Sequence, residues 1–253
     1  QGFAAERADW TPSAGAVELY GGADALILTV NGASFYDVVI SKTGGKGGTT
    51  AVQDRNGTQN PMQKANTVLA GSDLEITHDL NIDAGTFNVN GHAVYVDYAV
   101  NVSGTLMMTN VADELHAFEL LWKTGSYSNI NNGSIHLVNG NWFNNGTHAM
   151  ITAGNTMYFE SPYPVSALES QDPDATVGNV HINKSNGDFY LSALSTQPVN
   201  VAGNMTVAGG NTCFGQGKTL IVQGVMDIQD GAEYYIPSMT DELPGGDQSD
   251  FAG

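Results

Sequence analysis

Residues 81–108 read NIDAGTFNVNGHAVYVDYAVNVSGTLMM, and the stretch echoes itself. Asn81-Ile82-Asp83-Ala84-Gly85-Thr86-Phe87 returns as Asn101-Val102-Ser103-Gly104-Thr105-Leu106, one residue shorter, with Ile82 and Val102 20 positions apart. Such an echo is either a site motif or the pitch of a scaffold, and following it outward decides between the two. "LHAFELLWKTGSYSNI" from Leu115 and "IHLVNGNWFNNGTHAMI" from Ile135 share His116/His136 and Trp122/Trp142 at the same spacing. Ile82, Val102, Trp122 and Trp142 therefore mark three successive steps of 20, which is the signature of a repeating unit.

Each unit is made of short apolar-x-apolar pieces, such as Leu80/Ile82, Phe87/Val89, Val94/Val96, Val100/Val102 and Leu106/Met108. Alternation puts two side chains on one face of a strand and one on the other. Gly, Asn or Asp breaks the pattern every few residues, and seven Asn-Gly dipeptides supply corners that accept the left-handed conformation. Residues 112–123 ("ADELHAFELLWK") taken alone resemble a helix, but their register with a Gly-rich neighbour makes them strand.

A longer period overlies the first. "FYDVVISKTGG" (35–45) matches "VGNVHINKSNG" (177–187), pairing Val38/Val180, Ile40/Ile182 and Lys42/Lys184 at an offset of 142. Leu80/Met205 follow at 125, and Val94/Leu220 and Val96/Val222 at 126. The fall of about 17 locates surplus residues in the first copy, visible as the polar "GKGGTTAVQDRNGTQNPMQKAN" at 45–66, a loop leaving the scaffold.

A unit of about 20 residues with three short strands cannot bury its own apolar face and must stack on a neighbour. The expected fold is all-β: a single-stranded parallel β-helix, or β-solenoid, over residues 16–236, with an edge segment at 1–15 and an acidic Gly/Asp-rich tail or linker at 237–253. At ~4.8 Å per strand, roughly ten to twelve rungs would make a rod on the order of 50 to 60 Å long.

Bulk composition narrows the function. Twenty-six acidic against 8 basic residues give a formal net charge of −18, too few cations to neutralise a run of phosphates, so nucleic acid is not an expected partner. No apolar run is long enough for membrane insertion as a helix. The single cysteine, Cys213, excludes an intrachain disulfide and a multi-Cys zinc site, and its place in "NTCFGQG" is that of a buried small hydrophobe.

"AVELYGG…SFYDVVISKTGG", "DLNIDAGTFNVNGHAVYVDYAVNVSGTL", "GNWFNNGT" and "PVNVAGNMTV" resemble the repeats of large secreted surface proteins of Bacteroidetes-type bacteria. The resemblance covers most of 16–236 and implies a right-handed parallel β-helix in an exported, extracellular or cell-surface protein. Its motifs are structural and imply no catalytic residue. A C-terminal sorting domain, frequent in that group, is not found in this sequence.

Chemistry-bearing constellations are sparse. The histidines show no close metal-ligand spacing, although His116 and His136 fall on adjacent rungs; an outward repeat position that accepts histidine accounts for them equally. Asp79, Asp83 and Asp97 flank neighbouring strands and are the candidate calcium ligands, against the alternative of solvated strand-edge acids. No cofactor is expected beyond calcium at these acids. A polysaccharide lyase on this fold would also need basic residues, and 67–195 holds only Lys123 and Lys184. Trp122 and Trp142 share the phase of Ile82 and Val102, which makes them a core ladder rather than a sugar platform. Asn81 and Asn101 face outward, as an amide ladder would require.

The expected role is structural: an adhesin-like stalk, matrix or filament subunit that presents surface and associates end to end through unpaired strand edges. Lys46, Gln53, Asp54, Arg55 and Asn56 in the excursion are the candidate contacts for a surface glycan or protein ligand. The alternative is a polysaccharide-active β-helix enzyme or carbohydrate-binding module, recognisable by a lateral groove with carboxylates and exposed aromatics.

Overall fold

The computed structural model describes residues 2–5, 14–21, 26–30, 33–43, 66–145, 149–163, 165–185, 188–191, 197–215 and 219–235. Among them every regular element is a strand, every named strand pair is parallel, and the strands stack as a β-solenoid of about 22 residues per turn. The Asp/Glu/Leu-rich stretch at 112–123 is the strand Glu114–Trp122, inside and outside residues alternating as in its neighbours.

Each turn visits three faces. The first carries Leu26–Val30, Thr67–Ala70, Thr86–Asn88, Thr105–Met108 and Tyr127–Ile130, with Gly2–Ala5 paired onto its outer edge. It continues through the bridges Ile130 to Ile151 and Met150 to Thr176 into Thr176–Val177, Val199–Val201 and Leu220–Val222. The second and third faces are joined wherever one strand bends and runs through both, as do Ala93–Val102, Glu114–Trp122 and Gly133–Asn144. Beyond them the second face is Asn155–Phe159, Asn179–Ile182, Met205–Val207 and Met226–Ile228. The third face ends in Val165–Ser170, Asp188–Leu191, Thr212–Phe214 and Glu233–Tyr235.

The inward residues of all three faces form one continuous core, which is how parallel strands are covered without helices. Ile82, Val102 and Trp122 lie in direct register and are fully buried. Trp142 departs from the expected file: it pairs with Leu120, and Asn144 stands opposite Trp122. The cause is local. Between the aligned pairs Ala117/Leu137 and Glu119/Asn141, one strand has Phe118 and the other has Val138, Asn139 and Gly140. Gly140 takes a positive φ of 76°, and its Cα packs against Ser166 and Ser161, leaving no space for a side chain. The step of 20 that holds at His116/His136 therefore becomes 22 across the bend.

The longer period is also displaced. Val38 and Leu80 belong to the third face, whereas Val180 and Met205 belong to the second; Val94 is on the second and Leu220 on the first. The repeated sequence encodes a strand followed by a corner, and that unit fits any face. Lys42 and Lys184 nonetheless remain equivalent as corner residues, both with side chains buried. Lys184 donates to Ser166 Oγ at 2.9 Å and to the Asp188 carbonyl at 2.6 Å, and burial pushes its pKa down to about 8.

Corners are held by side-chain amides and carboxylates reaching one turn away. Asn132 donates to the Thr109 carbonyl, Asn155 to the Asn132 carbonyl and Asn179 to the Ala153 carbonyl, at 2.8 to 3.1 Å. Asn179 Oδ1 then accepts from Asn204 N–H, and Asn204 Oδ1 from Val225 N–H. These contacts span from 21 to 26 residues and satisfy backbone groups that the turns leave unpaired. Asn81 and Asn101 are in register, but among the described residues no amide bond joins them; asparagine links rungs at the corners instead.

Candidate functional site: outward ring files and their carboxylates

The outward residue at the centre of the second face is an aromatic or imidazole ring on five consecutive rungs. Tyr95, His116, His136, Tyr158 and His181 are direct register partners. Successive centroids are 4.6, 4.5, 4.6 and 5.4 Å apart. A second file runs along the bend between the second and third faces. Tyr36, His78, Tyr98 and Phe118 stack at 4.8, 5.3 and 5.5 Å, with interplanar angles of 3 to 6°, and Tyr163 closes the file edge-on. Strand spacing alone sets this separation: identical positions on adjacent parallel strands lie ~4.8 Å apart, close to an aromatic stacking distance.

This geometry limits what the rings do. Stacked rings give their faces to each other and show solvent only their edges, whereas a sugar platform needs a free face. Tyr95 is the end of its file. Its register partner on the preceding rung is Glu75, and the two help line a depression of about 380 Å³ with Val30, Ala33, Ser72, Asp73 and Leu74. Asp73 Oδ1 accepts from Ala93 N–H at 3.0 Å and lies 3.6 Å from His92.

The parallel planes of His116 and His136, 9° apart, direct their nitrogen lone pairs side by side, so the pair does not converge on one ion. Each has its own acid: Glu114 lies 3.4 Å from His116 Nε2, and Glu160 3.0 Å from His136 Nδ1. Desolvation, followed by the charge of His136, pushes the His116 pKa below the ordinary imidazole value.

Convergence occurs elsewhere. Asp37, His78 and Asp79 place one ligand-type atom each within 4.8 Å of the others, the one such triad among the described residues. His78 Nδ1 is 2.8 Å from Asp37 Oδ1 and 3.6 Å from Asp79 Oδ2. The remaining geometry is set by the backbone: Asp79 N–H donates to Asp37 Oδ1 at 3.1 Å, and Ala99 N–H to Asp79 Oδ1 at 3.0 Å. Hydrogen bonding to Asp37 is the main cause that raises the His78 pKa.

Of the expected calcium ligands, Asp79 belongs to this triad, while Asp83 and Asp97 are exposed and outside it. Lys46, Gln53, Asp54, Arg55 and Asn56 lie outside the described residues. Trp122 and Trp142 are in the core, 6.3 Å apart and tilted by 45°. Cys213 is buried between its register partners Phe189 and Tyr234, and desolvation pushes its thiol pKa up, away from reactivity. Sequence reasoning overlooked Asp37 and His78 because 41 residues separate them, nearly twice the ordinary turn. The ring file left a fainter trace: Tyr95, His116 and His136 at near-constant spacing. No family model matches the chain, and neither a curated protein nor a solved structure matches it.

Proposed function

We propose that this chain is a structural segment of an extracellular or cell-surface assembly, a stalk or matrix element that works by shape persistence and surface presentation. The observation that carries the reading is the use made of the outward rings and corner acids and amides. On the faces described above they bind rung to rung, so that side chains able to present chemistry are spent on holding adjacent turns together. An acidic exterior keeps such a rod dispersed from other anions.

End-to-end association extends this reading. Leu220–Val222, Met226–Ile228 and Glu233–Tyr235 pair on one side only among the described strands. Leu220, Val222, Met226 and Ile228 are half-buried where their rung-mates Val199, Val201, Met205 and Val207 are fully buried. A further rung, from the same or a second chain, would complete that cover. Negative-stain microscopy of purified protein is expected to show rods that lengthen with concentration. Compact particles of constant size, together with turnover on a panel of acidic and neutral glycans, would defeat the proposal.

A carbohydrate-binding role is the second reading. It is favoured by one observation, the Tyr95 depression with Glu75 and Asp73 on its wall, and glycan-array binding that is lost in Tyr95→Ala would support it.

A further inference from the structure

The acids at the bend between the second and third faces have a structural duty: Asp37 and Asp79 each use Oδ1 to accept a backbone N–H on the following rung. That duty leaves Asp79 Oδ2 without a hydrogen-bond partner among the described residues, in ion-pair contact with His78 Nδ1 at 3.6 Å but beyond hydrogen-bonding reach. The same nitrogen donates its N–H to Asp37 Oδ1 at 2.8 Å, so two carboxylates flank the one imidazole nitrogen whose proton a metal ion would replace. Tyr36 and Tyr98, stacked on either side of the His78 ring at 4.8 and 5.3 Å, fix the plane in which that nitrogen points.

Charge sharpens the point. A proton on His78 leaves the half-buried triad with one net negative charge, whereas a dication with neutral imidazole balances both carboxylates. Ligand atoms bound to zinc at ~2.0 to 2.2 Å sit about 3 to 3.5 Å apart, and the two separations of 2.8 and 3.6 Å bracket that range. An imidazole nitrogen with two carboxylate oxygens suits a zinc-type ion; calcium takes six to eight oxygens and has no use for the nitrogen.

We propose that Asp37, His78 and Asp79 form a binding site for a divalent transition-metal ion of the zinc type, with its remaining coordination positions open to water. The site joins two rungs across residues 44–65, the longest chain interval between paired strands of the described solenoid. The metal would act as a staple there, stabilising the folded chain by mass action.

Cobalt(II) and zinc titrations of the full chain test this directly. One equivalent of Co²⁺ is expected to develop visible d–d absorption that Zn²⁺ abolishes, and Zn²⁺ to raise the melting temperature more than Ca²⁺ does. His78→Gln and Asp37→Asn should each weaken Zn²⁺ binding about tenfold or more, while His116→Gln leaves it unchanged. Asp37→Asn keeps the oxygen that accepts Asp79 N–H, so its loss of binding reports on ligation and not on folding. The proposal is overturned by no Co²⁺ spectrum on the wild-type chain. Binding that survives either variant, or Ca²⁺ matching Zn²⁺ with no dependence on His78, would overturn it equally.

Discussion

The strands Glu114–Trp122 and Gly133–Asn144 carry two aromatic pairs at the same sequence spacing and treat them differently. Outside, His116 and His136 are register partners and stack nearly parallel at 4.5 Å. Inside, Trp122 and Trp142 are offset by the two extra residues at the bend, and their rings lie 6.3 Å apart at 45°. An exposed file demands register, because only rings directly opposite each other can stack. A core demands filled volume, which tilted rings supply as well as parallel ones. Inward residues should therefore govern stability, and outward ones the fine alignment of rungs.

The strongest way to break that division is Trp122→Ala. Removing a fully buried indole should lower the unfolding free energy by about 3 to 5 kcal/mol, read from urea denaturation at constant m-value. A loss no larger than that of an outward ring would refute it. Next comes the first residue of the strand carrying His136: Gly133 has φ of 81° and would drive a Cβ into the backbone of Asp113. Gly133→Ala should cost about 2 kcal/mol or more by the same measurement, since backbone cannot yield as a flexible side chain does.

Asp113 is the complementary test. It is fully buried and accepts from Gly91 N–H and from Asn110 N–H, the latter at 2.9 Å. Asp113→Ala leaves two turn donors unsatisfied and should cost about 1 to 3 kcal/mol. His136→Ala, which interrupts the outward file at its centre, should cost only about 1 kcal/mol. Its sharper signature would be altered chemical shifts at His116 and Tyr158 with the core resonances unmoved.

The smallest effect is in pH. His78 has a raised pKa, so its contribution is full below pH 6.5, the ordinary value, and is lost as pH rises through its folded value. His116 is shifted downward, so the native state is penalised as pH falls from 6.5 toward its folded value. The two act in adjoining windows on either side of 6.5, so stability should pass through a shallow maximum near that pH and fall off in both directions. NMR titration of the metal-free protein should find the His78 midpoint above 6.5 and that of His116 below. Coincident midpoints would mean that neither side chain keeps the environment described.

Much of the scaffold was legible in the chain itself. Alternation within each short piece fixed which residues face inward, as Ile82, Val102 and Trp122 illustrate, and the recurrence of the pieces required stacking in parallel. Cys213 was recognisable as core by its apolar phase. The excursion expected at 45–66 lies, but for Asn66, outside the described residues. What stayed hidden were features that depend on counting residues between rungs, which short-range patterning does not constrain. Two residues added at one bend moved Trp142 opposite Leu120, and repeated strand-corner blocks settled on different faces.

The candidate metal triad shows the same limit more strongly. Sequence by itself determined the strand grammar, the inward phase and the net negative charge, because alternation and composition act locally. Only the tertiary structure decided that Asp37 meets His78 and Asp79, and that five rings align into one file. Such neighbours lie one full turn apart along the chain, and the length of that turn is set by how each corner packs.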